Sequence, residues 1–283
     1  MKKNRIDKAG KARKWRRIVA LAAAVALAAG GTYLFAKVRE AFLGQCVITD
    51  VQRQVRITAG PTIKEGVVVE LFGLKKGANL ALIDFAGKRE TALSKYPAIR
   101  AVTVRRRLPD KVDIKIEERV PVAKVNEVGN GGTVRRMVAS GRVVDSEGVV
   151  FMKTTGTEAL PVICESAGSA TKPGKRLEGR ARAALELLAL SRETPYSDLG
   201  IMRVDAASRD YLLAILGDYS PAKIAWEGMD GDATPASRKA MARQLGHLRA
   251  SVVSRVAPTG TRPIVWNATE PDRVFADTKE PIL

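Results

Sequence analysis

The chain has 283 residues, of which 46% are apolar, 28% charged and 5% aromatic, with a formal net charge of +18 at pH 7. That apolar share is enough for packed cores and excludes a wholly disordered protein. Two cysteines and a single histidine exclude a structural zinc site, and the scatter of the basic excess, without a compact patch of interleaved aromatics, argues against nucleic-acid binding.

Residues 1–17 carry nine Lys or Arg against Asp7, a net +8. Residues 18–36 follow with no charged side chain. As a helix at 1.5 Å per residue they reach roughly 28 Å, close to the thickness of a bilayer's hydrocarbon. Ile18, Leu21, Val25, Leu27, Leu34 and Phe35 are the main apolar contributors. Three readings compete: a retained anchor, a cleaved signal peptide with Ala28-Ala29-Gly30 imitating a cleavage site, and a buried soluble helix. The run continues past that site through Tyr33-Leu34-Phe35 and closes on Lys37 and Arg39. This exit resembles an interfacial aromatic belt with snorkelling cations and favours the anchor. The basic flank then belongs in the cytoplasm and everything after Lys37 outside.

Residues 47–120 form the first predicted outer domain. Val47 to Ile57 reads as extended, and Gly60-Pro61 breaks it. Thr62-Ile63-Lys64-Glu65 has the capping-box pattern and opens a helix to about Phe72. A second helix, with Asp84 as N-cap, reaches about Lys95 before Pro97. Residues 101–105 and 111–117 alternate at period 2 around the turn Leu108-Pro109-Asp110. This puts Val102, Val104, Val112, Ile114 and Ile116 on a buried face. Thr103, Arg105, Lys111, Asp113, Lys115 and Glu117 point outward. The order is β-α-α-β-β. Pro121 lacks the N–H that a ladder needs, so pairing shifts there and a new domain begins.

Residues 121–277 form the second predicted domain, with 278–283 as a tail. Short strands are expected at 120–125 and 134–139 around Gly129-Asn130-Gly131-Gly132. A tight hairpin over 143–151 turns at Ser146-Glu147-Gly148, and a strand follows at 160–163. A helix from Arg176 to Ser191 carries Leu177, Ala181, Ala184, Leu185 and Leu188 on one face. Strands at 202–206, 211–216 and 223–226 precede a long helix from Pro235, at N1 behind Thr234, with Met241, Leu245, Leu248 and Val252 as its stripe. Residues 263–267 and 273–276 close the chain as strands. Cys46 and Cys164 fall in different predicted domains, and a disulfide between them is disfavoured.

The run Asn79-Leu80, Ile83-Asp84, Leu93, Tyr96-Pro97, Ile99, Val102, Val104, Arg106, Pro109, Val112, Ile114, Ile116, Glu117, Arg119, Pro121, Val122-Ala123 resembles a POTRA domain of the FtsQ/DivIB cell-division family. Its most specific part is Glu118-Arg119-Val120-Pro121-Val122-Ala123. Val144-Asp145-Ser146-Glu147-Gly148-Val149-Val150-Phe151 is similar to the family's V-D-x-x-G-x-x-F element. The resemblance implies an α+β protein with one N-terminal transmembrane helix, a POTRA domain and a second domain built on an antiparallel sheet with two helices. It also implies a non-enzymatic inner-membrane scaffold at the division septum, without cofactor, whose last strands bind small membrane-anchored partners of the FtsB/DivIC and FtsL type. The family's acidic-apolar-basic triplet is replaced here by Val265-Trp266-Asn267. A POTRA module serving protein transport or outer-membrane assembly is the rival reading. The short strands and two clear helices after Ala123 disfavour it, because a membrane barrel needs tilted strands of about ten residues.

No catalytic set stands out. His247, between Leu245 and Leu248, reads as a structural histidine rather than a base. The candidate sites are therefore surfaces. An edge strand formed by Ile264, Val265, Trp266 and Asn267, or one including Val274 and Phe275, would offer unpaired N–H and C=O groups to an added strand. Trp266 and Phe275 would anchor it unless both rings are core. The stripe Arg105, Arg107, Lys111 and Lys115 would meet acidic partners, anionic lipid or wall polymer, or be a plain solvated face.

Overall fold

The computed structural model describes residues 15, 27, 30–128, 137–138, 140–166, 168–225, 234–254 and 265–277. The residues fall into two units, 1–90 with 102–116 and 91–101 with 117–283. The first begins with helix α1, residues 30–45, whose side chains are exposed except for the half-buried Leu43. Among the described residues no helix is long and apolar enough to cross a membrane. Leu27, Leu34 and Phe35 are helical and 77%, 65% and 71% exposed, whereas Ile18, Leu21 and Val25 lie outside the described residues.

The β-α-α-β-β order is observed, with one addition. Residues 47–57 are not extended throughout: Val51–Gln54 form a helical turn, α2, before strand β1, Val55–Thr58. Asp50 caps that turn by accepting the Gln52 N–H, the local bonding that makes aspartate favourable at an N-cap. Helix α3 spans Glu65–Phe72 and α4 spans Phe85–Lys95. Thr62 is not the cap of α3; the N-cap is Lys64, whose side chain makes no capping bond. Asp84 does accept the Gly87 N–H at 3.1 Å, as expected at the start of α4. Strands β2, Ile99–Arg107, and β3, Lys111–Glu118, complete a sheet of order β1-β3-β2 in which β1 and β3 run parallel. Val102, Val112, Ile114 and Ile116 are buried together with Val68, Phe72 and Phe85, while Val104 is half-buried.

The second unit is built on one long sheet. Its strands are β4 (Ala123–Val128), β5 (Met137–Val138), β6 (Arg142–Val144), β7 (Val150–Met152), β8 (Val162–Glu165), β9 (Arg203–Asp205), β10 (Leu212–Ile215), β11 (Pro221–Ile224), β12 (Val265–Ala268) and β13 (Phe275–Asp277). They lie in the order β13-β12-β11-β10-β9-β8-β4-β6-β7, with β5 beside β4. The sheet is mixed, not antiparallel: β4 and β8, β8 and β9, and β11 and β12 are parallel pairs. Parallel neighbours need crossover connections. Helix α5, Gly179–Ser191, lies between β8 and β9 in the chain, and α6, Pro235–Val253, between β11 and β12. The two helices found in the sequence therefore dictate parallel pairs there.

Helix α5 starts three residues later than its apolar pattern suggests. Arg176 forms a bridge to Val149 and the Leu177 N–H donates to Gly148, so backbone committed to sheet pairing cannot join the helix. Helix α6 starts as expected, with Thr234 and Ser237 forming a reciprocal capping box and Pro235 at N1. Its Met241, Leu245 and Leu248 enter a single core with Leu187, Leu188, Leu212 and Trp266. Cys46 and Cys164 are buried and not joined in a disulfide. The turn expected at 129–132, and most of the strand expected at 134–139, lie outside the described residues.

Near the covered end of the sheet, Arg142 and Glu165 form an ion pair at 3.1 Å with side chains 10% and 3% exposed. Thr171 adds its N–H and hydroxyl to the same carboxylate. Breaking a buried pair from one side leaves an uncompensated charge and costs about 3–5 kcal/mol. Glu165→Ala is expected to lower the urea-unfolding free energy by that amount, and a loss below about 1 kcal/mol would show that the pair is not desolvated as described.

Candidate functional site

The two edges of the sheet are treated differently by the chain. At β7 the edge is covered at its first residue: the Val150 N–H donates to the Lys175 carbonyl at 2.9 Å and the Gly174 N–H to the Val150 carbonyl at 2.7 Å. The segment 174–176 thus uses the outer hydrogen-bonding groups of Val150, the first residue of β7. At the other end β13 pairs with β12 through Val265↔Asp277, Trp266↔Ala276 and Asn267↔Phe275, and among the described residues no strand lies on its outer side. Phe275 is 46% exposed there, and Val274 is half-buried against the core.

The expected edge is thereby divided. Ile264 lies outside the described residues, and β12 is an inner strand between β11 and β13. Val265 and Trp266 are buried, so Trp266 is a core ring and not a surface anchor; its indole N–H finds no partner among the described residues. Asn267 stabilises the β12–β13 turn, its side-chain carbonyl accepting the Thr269 N–H at 3.2 Å and hydroxyl at 2.8 Å. Arg243 of α6 reaches Asp272 in that turn at 3.7 Å. The aromatic side chain presented at the edge is Phe275. His247, read as structural, is exposed on α6.

A second constellation joins the two sequence motifs. Arg119 donates from Nη1 to Asp145 at 2.5 Å and to Glu147 at 3.1 Å, and from Nε to the Pro97 carbonyl at 3.1 Å. Arg100 forms a two-pronged contact with Glu147, at 3.0 and 2.6 Å. The other oxygen of Asp145 accepts the Glu147 and Val149 N–H groups and holds the β6–β7 turn. Gly148 closes that turn at φ 84°, where an added Cβ would meet Arg182 Nη1 at 2.6 Å. Arg119 and Asp145 are 14% and 6% exposed, so the E-R-x-P-V-A and V-D-x-x-G elements meet as a partly desolvated ion pair. The Arg100 and Arg119 guanidiniums hold the Glu147 carboxyl below its ordinary value of 4.5.

The basic stripe is on the surface. Arg105, Arg107, Lys111 and Lys115 are exposed, and Arg107 pairs with Asp113 at 2.6 Å. Register places Arg56 of β1 opposite Asp113, adding a cation that sequence reasoning left out. Alternation within 55–58 would have revealed it, had the strand been separated from the turn before it.

Residues 52–119 match the family model described as POTRA domain, FtsQ-type, so this module is a POTRA domain and its strand-helix-helix-hairpin order is that class's architecture. A cell division protein FtsQ from Neisseria meningitidis serogroup B is 31% identical over 100 residues, 35% of this chain and 37% of that relative. Both matches support the FtsQ/DivIB family for this chain. The shared stretch spans little more than a third of the relative's length.

Two outcomes follow from this geometry. Trp266→Ala should cost about 3–5 kcal/mol of stability as a core truncation, whereas Phe275→Ala should stay within about 0.5 kcal/mol; equal losses would contradict the split. A carboxylate whose folded pKa is depressed adds stability above its unfolded pKa and loses it as pH falls through the lower folded value. The stability gap between the natural chain and Glu147→Gln should therefore be full near neutral pH and close as pH drops below about 4.5. A gap that persists in acid would rule out the charged contacts as its source.

Proposed function

We propose that the chain is a non-enzymatic cell-division scaffold of the inner membrane, anchored by residues 18–36 with its basic N-terminus in the cytoplasm, and that it docks division partners at the septum through β13. The observation that carries this reading is the outer edge of β13, beside which no strand lies among the described residues, with Phe275 exposed on it, set against the β7 edge where Val150 is already bonded. An unpaired strand edge is a template for strand addition, in which backbone bonds supply affinity and side-chain contacts specificity. The family match, together with the name of the Neisseria relative, directs the expectation to small membrane-anchored coiled-coil partners of the FtsB/DivIC and FtsL type. The POTRA domain is the second docking module, and its family match is of the FtsQ type.

The edge can be tested without unfolding the domain. Because β12 is an inner strand with a core tryptophan, the informative deletion is 273–277, together with Phe275→Ala. With circular dichroism unchanged, partner affinity is expected to fall at least about tenfold, the effect of losing about 1.4 kcal/mol. Undiminished co-purification of FtsB- or FtsL-like partners with the 273–277 deletion would remove the edge from the account.

A further inference from the structure

We propose that the tip of the β2–β3 hairpin and the α3–α4 loop form a foot that rests on the phosphate-bearing headgroups of the membrane from which α1 emerges. This rests on the anchor reading above. The parallel register of β1 on β3, Val55↔Val112, puts the turn at 108–110 at the end of the sheet where β1 begins. The chain arrives from α1 at that same end. There the α3–α4 loop is bonded to the segment that follows α1: the Ile48 N–H donates to Ala78, the Gly77 N–H to Ile48 and the Leu80 N–H to Cys46, each at 2.8 Å. Asn79 Nδ2 also donates to the Leu43 carbonyl of α1 at 2.8 Å. Arg106 then joins loop to hairpin, donating to the Ile83 carbonyl at 2.6 Å with its guanidinium 4.8 Å from the Phe85 ring centroid.

This end carries what an anionic interface selects. Leu82 and Leu108 are 66% and 47% exposed, one on each of the joined loops. Lys75, Lys76, Arg105 and Lys111 are exposed around them. Asp50 and Asp113 are already engaged by Arg53 and Arg107, which leaves Glu70, Asp84 and Asp110 as the acids on or beside the two loops. Distance permits contact. If hydrocarbon ends near Ala36, residues 37–45 rise roughly 13 Å. The headgroup layer takes up about 5–8 Å of that, and the remainder is within a Debye length of about 8 Å, over which lysine and arginine are drawn to anionic lipid.

The test uses the full chain reconstituted in phosphatidylcholine vesicles with and without phosphatidylglycerol. Leu108→Cys, and separately Leu82→Cys, carries an environment-sensitive fluorophore; Cys46 and Cys164 are buried and spared. Quenching by headgroup-nitroxide lipid is read. Expected is at least about twofold stronger quenching in the anionic vesicles, falling with added salt and with Arg105→Glu/Lys111→Glu. The salt series on the otherwise unaltered labelled chain keeps the result independent of whether the charge-reversed variant folds. Chain that resists alkaline extraction yet quenches equally in both vesicles overturns the foot alone. Chain that is released by alkali overturns the anchor reading and the foot together.

Discussion

Every strand in a sheet must place its N–H and C=O groups somewhere, and the outermost strands can satisfy only one side from within the sheet. In the second unit's sheet that obligation is met at Val150 at one end, while at the other no strand lies beside β13 among the described residues. Segment 174–176 returns to bond Val150, and α5 starts only once that segment has finished pairing. The other end finishes at β13, held by a four-residue inner strand, an Asx-type turn at Asn267 and the contact between Arg243 and Asp272. Within this sheet, bonding at Val150 narrows the β7 edge, and among the described residues no strand lies beside β13.

The motifs that carry the family resemblance have a structural office in this chain. Arg119 sits where the POTRA hairpin ends and Asp145 where the second domain's first tight turn begins. Their contact, with Glu147 and Arg100 beside it, ties the root of the hairpin, residues 99–101 and 117–119, to the β6–β7 turn within the second unit. Pro121 follows, and the chain leaves one sheet for another: β3 pairs with strands of the first sheet and β4 with β6 and β8 of the second. A proline without an N–H is well suited to that changeover. The resemblance thus marks a junction rather than a reaction centre.

Much of this was legible in the sequence because local chemistry decided it. Period-2 alternation placed the β2–β3 hairpin, Asp84 and Thr234 marked helix starts, and the Ser146-Glu147-Gly148 turn followed from Asp145 and a glycine at positive φ. What the sequence could not yield was non-local. Parallel pairing of β8 with β9 and of β11 with β12 depends on where α5 and α6 return the chain, and alternation alone reads the same for either direction. Trp266 and Phe275 looked alike as aromatic residues in short strands. Only their register, one on an inner strand and one on the edge, separates a core ring from a surface one. The late start of α5 has the same origin, since Arg176 and Leu177 fit a helical stripe but are taken by Val149 and Gly148.

The central claim is that partners are received along β13. Amide hydrogen exchange of the purified chain, with and without the periplasmic part of an FtsB-type partner, measures this directly. The account predicts new protection at 273–277 on partner binding, with Val150 of β7 unchanged because its outer groups are already bonded. Saturating partner with no added protection in β13 would contradict it.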